Sequence, residues 1–236
     1  MKSFFTFILC KLFISNSSAQ TETYNSLLQK HVDTKGNVNY ADFKKEEANL
    51  NTYISYLAAT SPQKKWSENK TKAFWINAYN AYTIKLILEN YPLKSIMEIK
   101  QEGKDAWNIP FAIVGGKTHT LNAIEHEILR KNFDDPRIHV GVNCASVSCP
   151  QLGNFAFTEE NIEGELERLM HLFINDTTRN EISENKVQIS KIFDWFKGDF
   201  IKKGTLIDYL NNYSTTKINK KAKVRFLEYD WNLNKK

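Results

Sequence analysis

The chain is short of the residues that break or cross-link a polypeptide: five prolines, nine glycines and three cysteines among 236 residues. No Pro/Gly-rich linker, low-complexity tract or internal repeat divides it, so one folded unit is expected. The absence of C-x-x-C argues against thioredoxin-type redox chemistry. There is no G-x-S-x-G elbow and no phosphate-cradling glycine loop. Helix-turn-helix, zinc-finger and ribonucleoprotein patterns are also missing, and no nucleic-acid partner is expected. No apolar run reaches the roughly 20 residues that a bilayer requires.

What is present begins with a leader. Lys2 precedes an apolar run from Phe4 to Ile14, interrupted by Lys11, and Ser17 and Ala19 are small residues suited to signal-peptidase cleavage. Residues 1–19 therefore read as a signal peptide, and 20–236 as a single exported domain, periplasmic or secreted, without a transmembrane segment. Loss of Lys2 and Lys11 lowers the formal charge from +5 to +3. Such a mild excess, clustered at Lys217–Arg225, reads as a solvated face. At 42% hydrophobic and 13% aromatic residues, the chain can bury a sizeable core.

Apolar spacing predicts helices over Thr23–Lys30, Ala41–Ala58 and Ala73–Tyr91, the last apolar on two sides and so expected in the middle of the domain. Trp107–Thr120 reads as a hairpin around Gly115-Gly116, and Leu121–Phe133 as a helix. Arg137–Val142 alternates strictly and predicts a strand. Further helices are expected at Thr158–Ile174, Ile192–Phe200 and Thr205–Tyr213, with strands at Val187–Ser190 and Val224–Tyr229. The mixture lacks βαβ alternation, so the fold class is α+β: a central buried helix against a small, mainly antiparallel sheet with surrounding helices.

Polar residues on apolar faces mark the candidate site. Asn77 and Asn80 interrupt the Ile/Leu stripe of the 73–91 helix. Unpartnered, each carboxamide would cost roughly 1–3 kcal/mol, so both must bond nearby groups, as backbone pins or as polar supports of a reaction. Glu125 lies in the stripe of its helix. It is either a capping partner of Asn122 or a carboxylate whose pKa burial raises. His126 follows it. His139, Asn143, Cys144 and Cys149 fall within eleven residues. A thiol reacts near neutral pH only when its anion is stabilised, which such a cluster could supply. The alternative is a disulfide closing the C-x4-C loop of an exported protein. Glu125, His126, His139 and a cysteine are metal-ligand types without metal-motif spacing, so neither metal nor cofactor is expected.

Six segments together resemble the DUF547 family, a domain of unknown function. They are Phe74-Trp-Ile-Asn-Ala-Tyr-Asn-Ala81, Ile124-Glu-His-Glu-Ile-Leu-Arg130, Asp135-Pro-Arg-Ile-His139, Asn143-Cys-Ala-Ser-Val-Ser-Cys-Pro150, Ser190-Lys-Ile-Phe-Asp-Trp-Phe196 and Tyr229-Asp-Trp-Asn-Leu-Asn234. The family often reads Cys-Gly-Ala where this chain has Cys144-Ala-Ser. The resemblance implies membership without a reaction, and it places Asn77, Asn80, Glu125, His126, His139 and Cys149 in signature segments. A fold-level likeness to papain-like and transglutaminase-like domains would put a nucleophilic cysteine at the start of the central helix. None lies between Lys70 and Tyr91.

Two functions follow as expectations. One is thiol-dependent hydrolysis or acyl transfer on a small molecule or peptide. In it Cys149 is the nucleophile (chosen over Cys144 because Pro150 suggests a defined turn), His139 or His126 the base and Glu125 the orienter. Asn77, Asn80, Asn143 and Cys144 complete a polar cleft. The other is a non-catalytic binding or scaffold module in which the same network and the cysteine pair are structural.

Overall fold

The structure, a computed structural model, describes residues 18–236. The proposed leader therefore lies almost entirely outside the described residues.

Helix α1 covers residues 18–31, α2 Tyr40–Lys45 and α3 Glu47–Ala59. The long helix α4, Glu68–Asn90, starts where the Ser67 side chain accepts from Lys70 N–H and stops before Pro92, whose predecessor takes an extended backbone. Every α4 residue from Lys72 to Leu88 except Lys85 is buried, because α2, α3 and later helices pack around it. Lys72 is buried with its charge met by Asp135 at 2.9 Å and Glu163 at 3.2 Å.

The strands are short and form three separate sheets. Lys100–Gln101 (β1) pairs with Lys104–Asp105 (β2), and Ala112–Val114 (β3) with Lys117–His119 (β4), both antiparallel. Gly115 and Gly116 turn the second hairpin at φ 56° and 75°. A Cβ on Gly115 would also strike the Ser61 side chain, so this turn requires glycine. In the third sheet, β6 (Lys186–Ile189) pairs antiparallel with β5 (Glu181–Ile182) and parallel with β7 (Lys223–Phe226). The class is α+β, as expected.

Ala123–Leu129 is a π-helix running into α5, Arg130–Asn132, where an ordinary α-helix was expected. The Asn122 side chain does not cap it; Asn122 donates instead to Asn108 Oδ1 at 2.9 Å. The expected strand at Arg137–Val142 is corrected to a short helix, α6, Ile138–Gly141. All four residues are buried, so the alternation sorted no side from another and four residues could not separate a period of 2 from 3.6. Asp135-Pro136 was the usable signal. Asp135 Oδ1 accepts from Arg137 N–H at 3.0 Å, and proline suits a first helical turn.

Helix α7, Ile162–Asn175, buries Ile162, Leu166, Leu169, Met170 and Phe173 along one face. The remaining helices are α8 (Ile192–Trp195), α9 (Lys197–Phe200) and α10 (Leu206–Leu210). The final segment threads beside the cysteine loop. Val147 N–H donates to Asn232 O and Asn234 N–H to Ala145 O, while Val38 N–H donates to Asn234 O. Among the described residues, no helix is long and apolar enough to cross a membrane.

Candidate functional site

Three asparagines set the backbone of the site. Asn77 grips Phe157 twice, donating to its carbonyl at 2.7 Å and accepting from its N–H at 2.9 Å. Asn80, one turn on, donates to Gly141 O at 2.8 Å and accepts from Asn143 N–H at 2.9 Å. Asn143 then closes the cysteine loop, donating to Pro150 O at 2.8 Å and accepting from Ala145 N–H at 2.9 Å. Arg179 holds the loop from outside, donating to Cys149 O and Val147 O, each at 2.9 Å.

The two thiols are free and face each other inside this frame, close but not at disulfide distance. Cys144 N–H donates to Cys149 Sγ at 3.1 Å. Cys144 is half-buried, and its Sγ lies 3.1 Å from Ser146 Oγ and 3.2 Å from the Tyr229 hydroxyl. The Cys149 thiol, with help from Ser146 and Tyr229, holds the Cys144 thiol down at about 7 against the effect of burial. Cys149 is buried, and burial reinforced by the neighbouring Cys144 charge pushes its thiol well up.

Behind the thiols stands a chain of titratable groups. Glu125, carried inward by the π-helix, is buried, and burial raises its carboxyl to about 7, with Cys144 adding to the shift. The Tyr79 hydroxyl, itself hydrogen-bonded to Trp107, opposes that rise by bonding to Glu125. His139 is buried under Phe196, ring on ring at 4.0 Å. Its Nε2 lies 2.8 Å from Asp199 Oδ2, which also accepts from Arg130 Nε at 2.7 Å. Burial lowers the His139 pKa although Asp199 pulls the other way, so the neutral ring, protonated at Nε2, fits this setting. Among the described residues its Nδ1 has no hydrogen-bond partner, and it faces Glu125 Oε1 at 3.9 Å. His126 turns elsewhere: its Nδ1 is 3.1 Å from Arg130 Nη1, and burial and Arg130 lower its pKa.

The structure thus groups Glu125, His139 and the cysteine loop, with His126 at the margin beyond Arg130. Asn77 belongs to the frame of Phe157. A cavity of about 610 Å³ opens at the start of α4, lined by Trp66, Lys70, Phe74 and Glu159 among others. Of the candidate residues it reaches Asn77 alone. Among the described residues, no three His, Cys, Asp or Glu side chains are grouped to hold a metal.

Sequence reasoning missed Asp199, Tyr79, Ser146 and Tyr229. Asp199 sits 60 positions from His139 and Tyr229 85 from Cys144, with no local pattern linking them. Tyr79, Ser146 and Tyr229 did lie in family-like segments, the signal that could have found them; Asp199 lay in none.

The fold and this buried polar network define an α+β protein built around a framed cysteine loop. The family model described as "Protein of unknown function, DUF547" matches residues 63–174, and the chain carries a DUF547 region there. That region spans α4 to α7 and contains Asn77, Asn80, Glu125, His126, His139, Asn143, Cys144 and Cys149. No curated protein and no solved structure matches the chain.

Proposed function

We propose that this chain is an exported thiol-dependent hydrolase or acyl transferase in which Cys144 is the nucleophile. The observation that carries the reading is the set of groups around the Cys144 sulfur: Ser146 and Tyr229 hydroxyls at 3.1 and 3.2 Å, and the Cys149 thiol. Together they favour a thiolate near neutral pH. Cys149, which the sequence favoured, is less suited, because burial and the adjacent anion keep it protonated.

In this reading the Cys144 thiolate attacks a carbonyl carbon, forming a C–S bond as the carbonyl electron pair moves to oxygen. The Ser146 and Tyr229 hydroxyls turn from sulfur to that oxyanion. Glu125, held as the acid by its raised pKa, gives its proton to the leaving group. The resulting carboxylate then takes a proton from the water, or the acceptor, that attacks the thioester. His139, fixed by Asp199, presents Nδ1 to Glu125 and positions its proton. The substrate is an acyl compound of small-molecule or peptide size. Export follows from the leader-like residues 1–19.

A chromogenic thioester or activated-ester panel tests the reading. An acyl adduct should appear by mass on Cys144, form on the same residue but more slowly in Cys149→Ser, and vanish in Cys144→Ser. The rival reading is a non-catalytic module, favoured by the full engagement of Asn77, Asn80 and Asn143 in backbone bonds. Absence of any adduct across the panel, with a thiol no more reactive than a model peptide, supports that rival.

A further inference from the structure

We infer that Cys144 and Cys149 form a hydroperoxide-reactive couple, Cys144 taking the oxygen and Cys149 resolving the product as a reversible disulfide. The inference goes beyond acyl transfer and shares with it only an ionised Cys144.

The geometry carries it. In acyl transfer Cys149 serves only as a support of the Cys144 anion, a task a hydroxyl also performs, yet the group that sits there is a second thiol, its Sγ 3.1 Å from Cys144 N. Both thiols are free, and the loop between them is held at its two ends by Asn143 and on its outer side by Arg179. A short approach of the sulfurs therefore completes the bond without unfolding the frame. Cys144 is the less buried residue of the two, and its sulfur lies against the Tyr229 hydroxyl, itself on a half-exposed residue.

The chemistry balances on the two thiols and one hydroperoxide. The Cys144 thiolate attacks the terminal peroxide oxygen. An S–O bond forms, the O–O bond breaks, and the departing alkoxide or hydroxide takes a proton from the Tyr229–Ser146 hydroxyl pair, which solvent replenishes. Cys144 is now a sulfenic acid, two electrons oxidised. Without the neighbouring anion, the Cys149 thiol ionises more readily, because that charge was one cause of its suppression. Cys149 sulfur then attacks Cys144 sulfur, hydroxide leaves with the Cys149 proton as water, and the disulfide closes. A dithiol reductant restores both thiols.

The test uses the full chain with Cys10→Ser, so that Cys144 and Cys149 are the thiols present. Treated with hydrogen peroxide, it should lose two hydrogens by intact mass, give a linked 144–149 peptide and recover on addition of a dithiol. In Cys149→Ser, the sulfenic acid should be trapped by dimedone on Cys144, and overoxidation to sulfinic acid should rise by about ten-fold. A linked peptide in the wild type suffices should the Cys149→Ser chain fail to fold. Two results overturn the inference: peroxide reacting no faster than with a free cysteine, or Cys144 passing to sulfinic acid at equal rates with and without Cys149. An unlinked pair combined with acylation of Cys144 would reject the couple while leaving the acyl-transfer reading standing.

Discussion

His139 Nδ1 and Glu125 Oε1 face each other across 3.9 Å of buried space, and His139 Nδ1 has no hydrogen-bond partner among the described residues. On its other side the ring is committed to Asp199 at 2.8 Å, which fixes the proton on Nε2 and leaves Nδ1 as an acceptor. A protonated Glu125 is the group that can satisfy it. Burial and the nearby Cys144 raise the Glu125 carboxyl, which places an acidic proton beside the bare Nδ1 and the cysteine loop.

Replacing Glu125 with Gln tests the hold on that proton through stability. A carboxyl raised from 4.5 to about 7 holds its proton in the folded state longer than in the unfolded chain. Its favourable contribution is complete below about pH 4.5 and lost as pH rises to about 7. The Gln variant should match the wild type near pH 4 and exceed it at pH 8 by up to about 3 kcal/mol. Urea unfolding at both values measures the difference; a gap that is constant with pH would contradict it.

Asn80→Ala should loosen the cysteine loop. The change strands Gly141 O and Asn143 N–H in a buried setting, at a cost of about 2–3 kcal/mol. Hydrogen exchange should accelerate at Asn143 and Ala145 while α7 stays protected. Unaltered exchange in the loop would show that Asn80 does not hold it.

Ala145→Gly should stabilise. Ala145 occupies the left-handed region at φ 59°, where a Cβ costs roughly 1–2 kcal/mol and glycine does not, although glycine gains freedom in the unfolded chain. A net gain of up to about 1 kcal/mol in a urea melt is expected. The same position is where the family-like motif reads Cys-Gly-Ala, so the backbone shape tolerates alanine here at the expense of strain.

Asp135 should contribute to the loss of stability in acid. Its carboxyl is lowered to about 2: Arg137 and Lys72 bond it and outweigh burial, the largest single effect, which acts to raise it. Its contribution is fully present above the unfolded value of about 3.8 and lost as pH falls toward 2. Asp135→Asn should flatten this acid limb. It leaves the buried Lys72 with Glu163 alone and should destabilise the chain near pH 7 by about 3 kcal/mol. A variant whose acid limb is unchanged would exclude the pair as its cause.

How far the sequence could be read depended on the range of the forces involved. The helix was legible from Ala73 on, because a long apolar run stopped by proline carries its own evidence, whereas its polar start at Glu68–Lys72 was not; Gly115-Gly116 was legible because two adjacent glycines meet a local steric need. The asparagine frame was legible as a demand for partners, although their identities, Phe157 and Gly141, lie 80 and 61 positions away. His139 was placed on a strand because four wholly buried residues present no exposed face to sort. The choice between thiols rested on Pro150, whereas the sulfur environments depend on Tyr229, brought in from the far end of the chain.

The most direct measurement is the pH dependence of iodoacetamide alkylation at each cysteine, resolved by peptide mass spectrometry on the reduced chain. Cys144 should react with a midpoint near pH 7, and Cys149 should lag until well above pH 9. A Cys144 midpoint at or above 9, or a Cys149 that reacts first, would contradict the assignment of Cys144 as the nucleophile.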